Sequence, residues 1–404
     1  MIHRNEMKAV SIPEQCFFKK GVSKISLLSQ LEPLLLQVQK PAQYIGGEIG
    51  SIRKEPESVS VRFAFCFPDT YEIGMSHLGM KILYSLTNAQ PDYACERVFA
   101  PDTDMEQLMR QHHIPLFTLE SLEPVSHFDM VGFTLQYEMA YTNILNMLDL
   151  AGIPLLASER GNSLAPLIFA GGPCVCNPEP IADFFDLFIL GEGEEVNLEL
   201  MALYAEMKQQ GADKQMFLRE AAKIEGIYVP SFYDVQYHAD GTIAAVQPNN
   251  GAPARIQKRI ISDMSKVYYP DSFIVPFTET VHDRAVEEVL RGCIRGCRFC
   301  QAGFIYRPFR EKSAEVVCQQ AEQLCRQTGY DELSLSSLST SDHHELEAIL
   351  TELLTYTEDR KITMSLPSLR VDNFSETFME KVKRIRKSGL TFAPEAGTQR
   401  LRDV

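Results

Sequence analysis

The stretch Arg291–Gly292–Cys293–Ile294–Arg295–Gly296–Cys297–Arg298–Phe299–Cys300 places three cysteines in one short loop, with three residues and then two between them. Thiolates are the usual ligands of cubane iron–sulfur clusters. A tight loop brings three sulfurs to three irons of one cubane and leaves the fourth iron without a protein ligand. That open iron is what a substrate-binding cluster requires. Gly292 and Gly296 let the backbone wrap closely, and N–H groups of such a loop can point at cluster sulfurs. Zinc is the competing occupant, but it takes four ligands, often as two Cys-x-x-Cys pairs. Cys297 and Cys300 form one such pair, and no second pair follows. Cys293, Cys297 and Cys300 are the candidate metal ligands.

Outward from this loop the pattern is strand–helix repetition. Strands are predicted at Val286–Leu290, Glu332–Ser337, Ile362–Leu366 and Leu390–Ala393. Helices are predicted at Ala314–Gln327, Glu345–Tyr356 and Glu376–Arg386. Four such strands begin a (βα) barrel without closing it. Residues 285–404 are therefore expected to form a partial barrel, truncated at its C-terminus.

Upstream, residues 61–200 alternate in the same way. Strands are predicted at Val61–Cys66, Pro115–Leu119, Met130–Leu135, Leu167–Ala170 and Leu187–Leu190. Helices run from His77 to Leu83 and from Tyr141 to Ala151. This is an α/β pattern, read as a Rossmann-like, doubly wound parallel sheet. Ligands of such sheets bind beyond the carboxyl ends of the strands. Residues 201–284 are a helical segment and a connecting region, with a hairpin expected from Ile227–Pro230 and Ala244–Gln247 around Asp240–Gly241. Residues 1–60 read as an N-terminal extension.

A chain of 404 residues is long enough for two or three domains. Its 39 basic and 54 acidic residues leave a net charge of −15. That field opposes loose binding to a phosphate backbone, so a nucleic-acid partner is not indicated. No stretch approaches the ~18 apolar residues of a membrane span, and Met1 is not followed by the apolar core of a signal peptide. The expected location is cytoplasmic, with no membrane partner. Ten cysteines in such a chain do not suggest a disulfide framework. Cys318 and Cys325 are seven apart and read as core positions on one helix face, and Cys174 and Cys176 as buried thiols.

The run from Arg291 to Gly303 resembles the cluster loop of the radical S-adenosylmethionine superfamily. The resemblance covers about residues 40–404. It implies a radical S-adenosylmethionine enzyme with a [4Fe–4S] cluster on Cys293, Cys297 and Cys300. In that family the open iron is chelated by S-adenosylmethionine, which one electron cleaves to a 5′-deoxyadenosyl radical. The radical abstracts hydrogen from a substrate, here unknown. An electron donor such as flavodoxin or ferredoxin is implied as a partner. Phe299 resembles the family's aromatic near the adenine. Ser336 and Ser337, at the end of the second strand, resemble the positions that hold the methionyl end. Arg370 follows the third strand. Pro394–Glu395–Ala396–Gly397 resembles a turn binding ribose and amino groups, with Glu395 as acceptor.

Gly171–Gly172–Pro173, Asn177–Pro178–Glu179 and Gly191–Glu192–Gly193–Glu194 are similar to the strand-end loops of the cobalamin-binding domain that precedes many such barrels. This implies cobalamin at Gly171, Gly172, Pro173 and Glu192. The cobalt-ligating motif Asp-x-His-x-x-Gly is missing. His77 lies in Ser76–His77–Leu78–Gly79 and reads as a helix-start residue. Any cobalamin is therefore expected without histidine ligation, or the domain has lost it. Methyl transfer and hydrogen abstraction are both compatible reactions. The alternatives are a non-catalytic iron–sulfur or zinc module and an inactive truncated fragment.

Overall fold

A strand covered on both faces reads as a near-continuous apolar run, and Val61–Phe67 (β1) is one, interrupted by half-buried Arg62. The computed structural model describes residues 27–368 and 394–403. In it β1 lies between Tyr93–Phe99 (β2) and Met130–Thr134 (β3), parallel to both, with Phe63 opposite Cys95 and Met130. Leu167–Gly171 (β4) and Leu187–Ile189 (β5) continue the parallel sheet, and Ile227–Tyr228 (β6) closes its far edge antiparallel. The order β2-β1-β3-β4-β5-β6 reverses direction between β1 and β3. The expected doubly wound sheet is present, and such a reversal opens a crevice at the carboxyl ends of the strands.

Two predicted elements are corrected. Pro115–Leu119 is not a strand; Phe117 makes only an isolated antiparallel bridge to Pro124. The second strand is β2, whose sequence Tyr-Ala-Cys-Glu-Arg-Val-Phe carries two charges in its middle. Those charges are buried and paired, a property that no local pattern announces. The hairpin around Asp240–Gly241 is formed by Tyr233–Tyr237 (β7) and Ile243–Pro248 (β8). Ile227 is instead buried in the main sheet, where it pairs with Ile189 of β5.

The helix Leu27–Leu35 buries Leu28, Leu31, Leu34 and Leu35. They join a core with Met105, Met109, Ile144 and Met147 on one sheet face. On the other face Tyr84, Leu200, Tyr204 and Phe217 pack over Phe63 and Phe169. Among the described residues no helix is long and apolar enough to cross a membrane.

The second unit starts with Ala285–Glu288 (β9). The single strand expected over Val286–Leu290 is split. After Val289 the chain turns, and Leu290–Arg291 (β10) pairs antiparallel with Arg310–Glu311 (β11). Glu332–Ser336 (β12) and Thr363–Ser365 (β13) continue the parallel sheet in the order β13-β12-β9. Helices Ala314–Thr328 and Leu346–Arg360 cover it, with Val317, Cys318, Leu324, Ile349 and Leu353 packed on Leu333 and Leu335. The helix expected at Glu376–Arg386 and the strand at Leu390–Ala393 lie outside the described residues.

Candidate functional site

The carboxyl ends of the first sheet face the second unit across a cavity of about 400 Å³. His77, Gln136, Gly172, Pro173 and Glu192 line the sheet side. Glu288, Arg291, Gly292, Tyr306, Ser336 and Ser337 line the opposite side. This places expected residues from both units on one cavity. Gly172 is needed where it stands. Its φ is +103°, and a Cβ there would lie 2.7 Å from the Leu135 carbonyl oxygen. That close approach lets Leu135 donate its N–H to Gly171 (2.7 Å) and accept one from Cys174 (3.1 Å), locking two strand ends together.

The cysteine loop leaves this cavity at Gly292. The β10–β11 pair closes its base, with Arg291 opposite Arg310. Gly292 has φ +87°, and a Cβ would meet the Pro308 carbonyl at 2.6 Å, so the closure requires glycine. Within the loop, Arg295 pairs with Asp342 after β12, its Nε donating at 2.9 Å. Ser339 donates to the same carboxylate at 2.5 Å. Lys258 Nζ donates to the carbonyl of Ile305 at 2.7 Å and to that of Arg307. Cys293, Cys297 and Cys300 are free and half-buried. Among the described residues no three Cys, His, Asp or Glu side chains converge into an ion-holding group. The structure thus carries the three thiols on one anchored loop without gathering their sulfurs. Three free thiols are a donor set that fits an iron–sulfur cluster.

Glu192, on the sheet side of the cavity, is held by ion pairs. Its two carboxylate oxygens accept from Arg310 at 2.6 and 2.7 Å, and one also accepts from the Ile261 N–H at 2.5 Å. Burial raises its pKa, but the Arg310 hydrogen bonds and the Arg291 charge outweigh it and hold the carboxyl below its usual range. Arg291 donates to Glu194 at 2.8 Å and to Glu288 at 2.7 Å. The Gly191–Glu192–Gly193–Glu194 loop is therefore an ionic clamp from the sheet domain onto both strands that frame the cysteine loop. Arg291→Met leaves Glu194 and Glu288 without this cation. It is expected to lower stability by about 3 kcal/mol in urea unfolding, because breaking a largely buried pair strands the remaining charge.

The other expected residues fall unevenly. Ser336 and Ser337 are on the cavity wall, and the Ser337 hydroxyl is 2.7 Å from that of Thr340. Gly171 ends β4 just below the wall. Phe299 is 71% exposed and Glu395 is exposed, and neither lines the cavity. Arg370 lies outside the described residues. Of the two loop thiols read as buried, Cys174 is, but Cys176 is exposed and on the cavity wall. Sequence reasoning did not find the Arg295–Asp342 or Arg310–Glu192 pairs. The arginines beside the cysteines were the available signal.

His77 is the helix-start residue expected, its Nδ1 accepting from the Met80 N–H at 3.1 Å. Burial, aided by the charge of Lys81, pushes its pKa down to about 4. A depressed folded-state value stabilises above the unfolded pKa of about 6.5 and loses that contribution as pH falls toward 4. Asparagine keeps the cap and removes the titration. Between about pH 7.5 and about pH 5 the wild type is expected to lose about 1–2 kcal/mol more than His77→Asn. Paired urea titrations read this difference.

A doubly wound sheet whose strand ends face a three-cysteine loop on a parallel βα unit defines a recognisable class. Residues 79–230 match the family described as radical SAM proteins, N-terminal, and residues 288–404 match the radical SAM superfamily. The chain belongs to the radical S-adenosylmethionine (SAM) superfamily. It is 27% identical over 342 residues to uncharacterized protein MJ0966 of Methanocaldococcus jannaschii, covering 84% of this chain and 62% of that one. Its fold is similar to that of the radical S-adenosylmethionine methyltransferase TsrM from Kitasatospora setae with cobalamin and a [4Fe-4S] cluster bound. That match has TM-score 0.51 and 12% identity over 81% of this chain and 57% of that one. The cobalamin-dependent S-adenosylmethionine radical enzyme OxsB with aqua-cobalamin bound matches with TM-score 0.50 and 13% identity, over 89% and 46%. The chain thus spans about three fifths or less of the length of these relatives.

Proposed function

We propose that this chain is the core of a radical S-adenosylmethionine enzyme, with Cys293, Cys297 and Cys300 holding a [4Fe–4S] cluster beside the domain-junction cavity. The observation that carries this reading is the placement of the cysteine loop: it is clamped at its base, by Arg295 and by Lys258, at the mouth of a cavity bounded by both domains. When bound, the cluster supplies the electron that cleaves S-adenosylmethionine to the hydrogen-abstracting 5′-deoxyadenosyl radical. The chain's own residues bind, orient and shield. Ser336 and Ser337 offer hydroxyls at the end of β12 toward the methionyl group. The Arg291 and Arg310 pairs keep the two walls in register and limit water entry. Phe299 and Glu395 are assigned to the adenine and ribose, and Arg370 to the same ligand. The proposed partner is an electron donor such as flavodoxin or ferredoxin, and the proposed location is the cytoplasm.

Cobalamin is proposed as a ligand of the sheet side, against Gly171, Gly172 and Pro173. The glycine backbone there suits a flat ligand. His77 accepts at Nδ1 from the Met80 N–H, so in the neutral ring its other nitrogen carries the proton, and a cobalamin held here would be expected without histidine ligation. The cavity, about 400 Å³, is in the range of small-molecule sites. A whole corrin with its nucleotide tail is larger, so cobalamin binding would have to open the Arg291 and Arg310 pairs that join the walls. Anaerobic reconstitution with iron and sulfide, then reduction with S-adenosylmethionine, is expected to release 5′-deoxyadenosine. No 4Fe–4S signal after reconstitution would sink the enzyme reading. Absorbance of hydroxocobalamin retained after desalting tests the sheet side separately.

A further inference from the structure

The helix Leu78–Ala89 separates the junction cavity from a second cavity of about 280 Å³. It presents Leu78, Gly79, Ile82 and Leu83 to the junction and Met80, Lys81, Tyr84 and Ser85 to the second space. At about 100° per residue these sets lie on opposite faces. The second cavity is thus separate from the cysteine-loop site.

Lys81 is the unusual member of its wall. It is 8% exposed. Among the described residues no salt bridge to Lys81 is formed, and Asp283 is the carboxylate that acts on it, through space. Its ammonium lies over the face of Phe273, 4.9 Å from Nζ to the ring centre. Burial brings its pKa down to about 8. The other wall cation, Arg97, is fully engaged with Glu48 and Glu120. A buried ammonium without a counter-ion is costly unless something pairs with it. Phe273, Tyr84, Met80 and Ile274 make the surrounding wall apolar and aromatic.

We infer that this cavity binds a small carboxylate with an apolar or aromatic body, whose anionic end pairs with Lys81. A single ammonium suits one carboxylate. A phosphate dianion would exceed the charge of one ammonium while facing Asp271 on the same wall, so the single charge of a carboxylate is the better match.

The test uses the full chain, with phenylacetate as the anionic probe and phenylacetamide as its neutral isostere, titrated by saturation-transfer NMR and calorimetry. Phenylacetate is expected to bind at least about 10-fold more tightly than the amide, the least expected of one desolvated charge pair. Lys81→Met is expected to remove that preference, and Lys81→Arg to retain part of it. Lys81→Met is also expected to fold with an unchanged or higher Tm, since it keeps the apolar stem and deletes a buried charge. Equal affinity of the wild type for acid and amide overturns the inference, as does undiminished phenylacetate binding by Lys81→Met. The acid–amide comparison needs no variant, so it decides the matter even if Lys81→Met fails to fold.

Discussion

Cys297→Ala is expected to abolish both the reduced-cluster EPR signal and 5′-deoxyadenosine release after anaerobic reconstitution. Loss of even an outer partner of a metal site costs about 10–100-fold, so removing one of three thiolate ligands sets a floor of about 100-fold on the fall in turnover. The loop offers no substitute. Between Arg291 and Cys300 the sequence holds no other Cys, His, Asp or Glu, and Asp342, the carboxylate that Arg295 of the loop reaches, is engaged by that arginine and by Ser339. Cys325→Ala is the control. Cys325 is buried in the helix Ala314–Thr328, its thiol pushed up to about 11 by burial and the nearby Glu322. Its replacement is expected to leave the cluster signal intact. Full turnover by Cys297→Ala would place the chemistry elsewhere.

Arg97→Met is expected to cost about 3–5 kcal/mol of stability, the range for stranding buried charges by deleting their partner. Arg97 is 1% exposed. It donates to Glu120 at 2.6 Å and to Glu48 at 2.7 and 3.0 Å, and Tyr71 adds a bond to Glu48 at 2.8 Å. Burial alone raises the pKa of Glu48, but Arg97 outweighs it and the net direction is down. Burial dominates at Glu120, and neighbouring Glu96 and Glu48 add to it, so its carboxyl is raised to about 7.

The pH dependence follows from these directions. A carboxyl raised in the folded state stabilises most below its unfolded pKa of about 4.5. That contribution is lost as pH rises through about 7. Removing Arg97 raises both carboxyls, Glu120 further above its usual range and Glu48 from its lowered position. The deficit of Arg97→Met against the wild type is therefore expected to be larger at about pH 8 than at about pH 5. Urea unfolding at both values checks the sign. An equal deficit at both would mean that the two carboxylates do not depend on Arg97 for their charge.

The same triad shows where reading by local pattern stops. β1, β3, β4 and β5 were legible because they are short apolar runs ended by turn residues. β2 was not, because Glu96 and Arg97 interrupt its pattern. Their acceptability in a sheet rests on groups far along the chain: Glu48 is 49 residues from Arg97, and Glu120 is 23. Lys312 and Glu287, both fully buried and joined at 2.8 Å, are the equivalent in the second unit. Either residue alone reads as surface.

The three cysteines and their spacing, the glycines that let Gly292 and Gly172 approach backbone, and the alternation of strands and helices were determined by sequence alone. These are local facts: turn geometry, periodicity and ligand count act over a few residues. Only the tertiary structure decided how the polar side chains are used. It paired Glu192, on the cavity wall, with Arg310, 118 residues away. It tied Arg295 of the cysteine loop to Asp342, and it left Lys81 facing a cavity without a salt bridge among the described residues. A charged side chain takes its role from whatever the fold brings within about 3 Å of it. Sequence spacing carries no such distance when the partners lie on different elements.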